Sequence, residues 1–377
     1  MAVELSVYVG DERLAARVKS VCAESHRHPN PNPLKIRVLH NVVFDPNRGL
    51  YVDGQMLPQT FWFAQNGQRL AKLRARGEFV VPAEVRQHQT RKVYYLGIIN
   101  NCWGHCLLDC TRFLWPIVLG QIAEDVELVY SLARDPGRPE PEDMLPNFRA
   151  LLECAGVNPQ RIRRIREPTS FDSIVVADEA FAYDEGSPSG HMFTPEGAEM
   201  FQRLAERAGA VAGAPFRTVY FSRSHWRRCA VEFGEERVER AFRHCTGCEI
   251  VSPERISFQQ MVRLLSETKK LITTEGSLAH NAVFLPYGAE IVLLMKGEEY
   301  NRYQPMVNEM RGLRVTYVCA NTSDHYYNQQ HWNGPFFLHV TKSLADYLNC
   351  EPEWPRWIRA RYLMHVYWNR CLRKFRF

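Results

Sequence analysis

Residues 271–294 read LITTEGSLAHNAVFLPYGAEIVLL. An apolar strand, Leu271 to Thr273, runs into a tight bend at Glu275-Gly276-Ser277. A helix opening at Ser277 is expected next, then a Pro286-Tyr287-Gly288 break and a second strand from Glu290 to Leu294. Strand, bend, helix and strand make a βαβ unit, which needs a parallel sheet. The bend would set backbone N–H groups and the positive end of a helix at the top of that sheet, where phosphate is favoured. The stretch predicts the seat of a nucleotide-activated donor.

The segments before it fit the same sheet. RTVYFS (217–222) reads as a strand and is followed at once by Arg223, Ser224, His225, Trp226, Arg227 and Arg228. Cations at a strand's carboxyl end stand where open α/β sheets bind ligands. The guanidinium fork suits a diphosphate, although a solvated basic loop has the same composition. EERVERAFRHC (235–245) and SFQQMVRLLSETKK (257–270) have helical periodicity, the latter capped by Ser257. The strand–helix alternation from 217 to 318 predicts a doubly wound α/β domain.

Further upstream, KVYYLGIIN (92–100) reads as a strand. The next segment, NCWGHCLLDCTRFLWPIV, reads as a helix opened at Asn100 or Asn101. His105 and Asp109 fall at i and i+4 on one face, with Arg112 close by. A histidine and a carboxylate one turn apart can orient each other, and either could accept a proton. A solvated His–Asp pair is the plainer alternative. Cys102, Cys106 and Cys110 share a second face. Structural zinc sites draw paired ligands from separate loops, and Cys245-x-x-Cys248 lacks a second pair, so buried thiols are expected instead. SIVVA (173–177) reads as a buried strand. Asp178 and Glu179 at its end should point apart, which argues against a shared metal. Thr194 and Pro195 open a helix to about residue 209, and GAPF (213–216) reads as a boundary. Residues 1–90 look β-rich, with a strand at 36–46 and a hairpin at Asp53-Gly54.

The bulk properties bound the answer. The chain has 377 residues, 45% hydrophobic and 24% charged, with a net charge of +5. That suits two globular domains and is too mild to argue nucleic-acid binding. The N-terminus lacks the pattern of a signal peptide, and the longest apolar run, 113–123, contains Pro116 and is too short to span a bilayer. Eleven cysteines without a framework fit reduced thiols in the cytoplasm. Basic residues cluster at 161–167 and in the tail, EWPRWIRARYLMHVYWNRCLRKFRF (353–377), which reads as a basic-aromatic helix. Such a helix suits either an anionic membrane surface or a closing position on the core. Tyr326, Tyr327, His331 and Trp332 could stack on a sugar or cover a loop.

Taken as an ordered set, WGHCLLD (103–109), Ser222-Arg223, the paired Arg227-Arg228, EIVSPERISFQQMVRLLSETKKLI (249–272) and EGSLAHNAVFLPYGAEIVLL (275–294) resemble glycosyltransferase family 61. The resemblance covers about residues 91–320. It implies a GT-B-like α/β fold, two Rossmann-like domains facing across a cleft, with a C-terminal helix. It also implies inverting transfer of a sugar from a nucleotide sugar to a saccharide or glycolipid acceptor, as in surface or capsular polysaccharide synthesis, without a cofactor or bound metal. Carried over by position, Arg223, Arg227 and Arg228 would meet the donor diphosphate. Glu275, Gly276, Ser277 and Asn281 would meet the nucleotide end, and His105 or Asp109 would be the base. Family members commonly place histidine before the glycine and alanine after it, where this chain has Glu275 and Ser277. A carboxylate repels phosphate unless it is paired or aimed at ribose hydroxyls. The expected organisation is a β-rich segment over 1–90 packed on the first domain, an acceptor domain over 91–213, a nucleotide-sugar domain over 214–340 and the helix over 341–377. A nicotinamide-dependent oxidoreductase lacks its G-x-G-x-x-G here. A non-catalytic glycan- or nucleic-acid-binding module would need only the basic clusters. A cytoplasmic enzyme is expected, with peripheral membrane contact through the tail and no nucleic-acid partner.

Overall fold

The computed structural model describes residues 4–28, 33–57, 60, 84–123, 125–133, 141–183, 191–225, 232–297, 300–321 and 335–374. The chain forms two compact units, Met1–Ser25 with Ala210–Phe377 and, separately, His26–Gly209. In chain order the first unit contributes β1 (Leu5–Tyr8). The second contributes β2 (Ile36–Asp45), β3 (Gly49–Val52), β4 (Gln55–Met56), β5 (Gln87–Gln89), β6 (Val93–Ile99), β7 (Glu127–Leu132), β8 (Ile162–Arg164), β9 (Thr169–Ala177), β10 (Phe181–Tyr183) and β11 (His191–Phe193). The first unit resumes with β12 (Arg217–Phe221), β13 (Glu232–Phe233), β14 (Glu249–Val251), β15 (Thr268–Thr274), β16 (Glu290–Met295), β17 (Arg314–Cys319) and β18 (Phe336–Phe337).

The first unit is built on a six-stranded sheet, ordered β1-β17-β16-β15-β12-β14, in which every pairing is parallel. Helices cover parallel strands on both faces, so their sequences run apolar without alternation. LITT of β15 and IVLLM of β16 are buried throughout. The helix Phe258–Ser266 feeds β15. Its capping box is complete, with Ser257 Oγ accepting from the Gln260 amide and the Gln260 side chain accepting from that of Ser257. From β12 the chain passes to β14 on one side, then returns to β15 on the other. Strand order therefore reverses between β12 and β15, and the crevice outside their carboxyl ends is where such sheets bind ligands.

The second unit carries an eight-stranded mixed sheet, β4-β3-β2-β9-β6-β7-β8, with β5 beside β9. The strands β9, β6, β7 and β8 are parallel, while β2 runs antiparallel to both β9 and β3. The expected second Rossmann-like sheet is thus parallel over only part of its width. Its order also reverses, between β6 and β9. All seven residues of β6 are buried. The strand kinks at Gly97, where the backbone is left-handed at φ +114° and the register against β7 shifts. Such a conformation strains any residue with a Cβ. The Asp53-Gly54 hairpin joins β3 to β4 as expected.

Three expected boundaries are redrawn. Residues 1–25 do not belong with the β-rich segment of 1–90: β1 pairs with β17, Leu5 with Val315 through Tyr8 with Val318. The remainder of that segment supplies β2 to β5 of the second unit. Residues 341–377 are not one helix but two, Lys342–Leu348 and Arg356–Lys374, both within the first unit. The boundary expected at 213–216 falls at Gly209/Ala210.

Candidate functional site

In the second unit the carboxyl end of β6 leads through Asn100 and Asn101 into a short helix, Trp103–Leu108. Neither asparagine caps it. Cys102 occupies the N-cap without a side-chain bond, and Asn101 Nδ2 donates to the Asp143 carbonyl at 2.7 Å. The helix stops at Leu108, with Asp109 at its C-cap. His105 and Asp109 nevertheless meet as the spacing predicted, Nδ1 against Oδ2. The imidazole is 30% exposed and the carboxylate 9%. Burial opposes the imidazolium, but the Asp109 bond and charge outweigh it and hold the His105 proton up to about pH 9. Burial likewise opposes the Asp109 carboxylate; His105, His191 and Arg112 outweigh it and keep its pKa below the usual value.

Arg112 lies buried behind the pair. Its Nη1 stands 3.1 Å from Glu179 Oε1, and its guanidinium rests over the Phe113 ring at 4.8 Å. Burial pushes Glu179 up to about 7, with Arg112 pulling it back. As expected, Asp178 diverges from Glu179, forming an ion pair with Arg37 at 2.6 Å. His191 and Glu179 were not singled out as site residues from sequence. They follow β9 or sit on β11, and only the fold brings them to Asp109. Cys106 and Cys110 are buried, whereas Cys102 is exposed. The Cys106 thiol donates to the Asn100 carbonyl at 3.0 Å. Among the described residues, no group of three or more His, Cys, Asp or Glu is placed to hold a metal.

In the first unit the carboxyl ends of β12, β15 and β16 lie side by side and deliver Arg223, Glu275-Gly276 and Lys296. Lys296, 7% exposed, donates to Glu232 Oε1 at 2.9 Å. Arg223 Nη1 stands 3.6 Å from the same oxygen. Two cations thus share one carboxylate, which is itself 1% exposed. Burial raises the Glu232 pKa, and the charges of Lys296 and Arg223 more than reverse this, leaving it below the ordinary value. Its neighbour Glu235 goes the other way: burial first, then the Glu232 charge, drive it well above the usual range. Glu235 Oε1 accepts from the Arg223 amide at 3.1 Å and the Tyr220 hydroxyl at 3.3 Å, fixing the chain where it leaves β12.

Gly276 sits at φ +113°, and a Cβ there would come within 3.9 Å of Lys296 Nζ. Glu275 is buried, and burial pushes its carboxyl up to about 8, against the pull of the Asn301 amide and Lys296. A carboxyl with its pKa raised to about 8 is mostly protonated at pH 7, which lessens the repulsion expected between Glu275 and a phosphate. After the bend comes a six-residue 3₁₀ run, Ala279–Phe284, rather than an α-helix opened at Ser277. Its dipole is correspondingly short. Ser277 is half-buried beside the bend. Asn281 is completely buried, its amide donating to the Leu278 carbonyl at 2.9 Å. Arg227, Arg228 and Trp226 lie outside the described residues, as do Tyr326, Tyr327, His331 and Trp332. Lys296 was overlooked in the sequence, although a lysine closing the apolar run EIVLLM at a carboxyl edge is a readable signal.

A parallel sheet with two cations and a glycine bend at its point of reversal is an α/β architecture that binds ligands at that edge as a class. A family model, Glycosyltransferase 61, matches residues 103–292, just over half of the chain, and the chain belongs to that family. Membership makes it a sugar transferase with a donor and an acceptor as substrates. The matched span takes in His105, Asp109, Arg223 and Glu275 to Asn281 and stops short of Lys296. A comparison with curated proteins finds no match.

Proposed function

We propose that the protein is an inverting, metal-independent glycosyltransferase of GT-B type that moves a sugar from a nucleotide sugar to a saccharide or glycolipid acceptor, as in surface or capsular polysaccharide synthesis. The observation that carries this reading is the meeting of Arg223, Lys296 and the Gly276 bend at the carboxyl ends of neighbouring parallel strands. In the first unit these groups take the donor diphosphate. The acceptor hydroxyl oxygen attacks the anomeric carbon as the bond from that carbon to the diphosphate oxygen breaks. The leaving charge is taken up by Arg223 and Lys296, groups already fixed by Glu232 and Glu235 and needing little reorganisation. The neutral acid of Glu275 offers a hydrogen-bond donor to the nucleotide.

The acceptor's proton goes to the His105–Asp109 pair of the second unit. Nε2 of His105, the ring nitrogen not bonded to Asp109, is the receiving atom, with Asp109 orienting the ring and stabilising the imidazolium that forms. The cytoplasm is the proposed compartment. The test is a panel of UDP-, GDP- and CMP-sugars screened by thermal shift, since a ligand that binds only the folded form raises the melting point. Sugar transfer is then assayed for wild type, His105→Ala and Asp109→Asn. Transfer by either variant at the parent rate removes that residue from the reaction. Stabilisation by NADH but by no nucleotide sugar would replace the whole reading with an oxidoreductase.

A further inference from the structure

The helix Arg356–Lys374 has two unlike faces. On the inner one, Tyr362 and Val366 pack with Phe337, and Ile358 and Phe233 join them. The Tyr362 ring stacks on Phe337 at 5.8 Å and meets Phe233 edge-on at 5.9 Å. The outer face should be polar in a helix that only closes a core. Instead it carries Trp357, Met364, Tyr367 and Trp368, which are 71%, 59%, 50% and 67% exposed. Positions 357, 364 and 368 follow one another by seven and four residues, so they form a stripe along the helix. Arg356 and Arg361 are exposed beside it. The helix sequence contains no Asp or Glu and adds Arg370, Arg373 and Lys374 further along. Glu351 and Glu353 precede it, and Glu353 is paired with Arg237 at 2.8 Å.

We infer that this outer face docks the protein on an anionic membrane surface. The helix lies in the headgroup plane, with its tryptophans and methionine at the acyl boundary and its arginines on lipid phosphates. Aromatic rings with polar edges settle at that depth. A second copy of the chain is the poorer occupant, because two such faces would oppose arginine to arginine with no carboxylate between them. No described helix is long and apolar enough to cross a membrane; this one lies on the surface. The inference stands independently of sugar transfer. Its consequence for that activity runs through Phe233, which the inner face covers and which adjoins Glu232, the anchor of Arg223 and Lys296.

The experiment is vesicle flotation with the purified full-length chain, comparing phosphatidylcholine alone with the same lipid containing roughly one third phosphatidylglycerol. Binding to the anionic vesicles is expected, weaker on neutral ones and falling with salt. Arg361→Gln should cost about fivefold in affinity, which is about 1 kcal/mol per basic residue at the surface. The double variant Trp357→Ser/Trp368→Ser should cost about tenfold or more with an unchanged melting point, since both side chains are exposed. Should the double variant fold poorly, the Arg361→Gln and salt series carry the test alone. No flotation of wild type with anionic vesicles overturns the inference, as does equal flotation of the variants. So does a concentration-dependent dimer abolished by the tryptophan changes, which would make the face a contact between copies.

Discussion

Glu275→Gln should make the protein more stable at neutral pH. The carboxyl is held near pKa 8 in the folded chain, against an ordinary 4.5. Between those values the folded state keeps a proton that the unfolded state has released, so stability falls as pH rises. At about 1.4 kcal/mol per unit, that loss comes to about 3 kcal/mol at pH 7 and about 5 kcal/mol above pH 8. It is absent below about pH 4.5, where both states are protonated. Glutamine has the same shape, keeps an oxygen to accept from the Asn301 amide (3.3 Å in the parent), and never ionises. It escapes the pH-dependent loss at the cost of about 1 kcal/mol for an imperfect bond. The variant should therefore match wild type within about 1 kcal/mol at pH 5 and exceed it by about 2–3 kcal/mol at pH 7. Urea unfolding of both proteins from pH 5 to pH 8, with the difference in midpoint as readout, is the assay. His105 and Glu179 titrate in both proteins and cancel. A difference that stays flat across this range would show that Glu275 is ionised in the folded chain, and the neutral-acid account of the bend would fall.

Other consequences can be measured on the same material. If Nε2 of His105 is the base, kcat/KM should climb with pH and level off near 9. Asp109→Asn should lower the rate by about 10²-fold or more and move that limb at least about 2 units lower, because burial alone depresses an imidazole. A limb that stays in place in the variant would exclude the carboxylate as the source of the raised value. Arg223→Ala should weaken calorimetric binding of a nucleoside diphosphate by about 1.5–3 kcal/mol, the scale of a hydrogen bond to a charged group; unchanged affinity removes Arg223 from the donor site. Lys296→Met should lower stability by about 2–4 kcal/mol, somewhat less than for a fully orphaned buried charge because Arg223 still faces Glu232. A melting point within a degree of wild type would mean that the pair contributes nothing.

What the sequence disclosed was mostly local. The strands and helices from 217 to 318, the Ser257 and Thr194 caps, the Asp53-Gly54 hairpin and the His105–Asp109 contact all rest on neighbours within a few residues. Apolar periodicity and capping chemistry are written at that range. What it hid required pairing across the chain. Lys296 and Arg223 are 73 positions apart, and nothing in either segment names Glu232 as their common partner, since that carboxylate stands on a two-residue strand. His191 and Glu179 join Asp109 only through the fold. The bend at Glu275 was located correctly but its sequel was not. AHNAVF has ordinary helical composition, and the proline two residues beyond its end leaves too little length for an α-helix to form. The partner of β1 was the hardest to foresee, because LSVY alternates as any edge strand does.

That last pairing bears on how the molecule is made. β1 leaves the ribosome ahead of the other described strands, yet its hydrogen-bonding partner, β17, is synthesised about 300 residues later. At about 5–20 residues per second, the amino-terminal strand waits on the order of tens of seconds with its edge unsatisfied, while the His26–Gly209 unit can already collapse beside it. Ribosome-bound chains stalled after residue 209 should thus contain one folded body and a loose leader. A clone lacking residues 1–25 should lose the outermost ladder of the other sheet and accumulate in inclusion bodies more readily than the parent, as expected when an apolar parallel edge is left uncovered during biosynthesis.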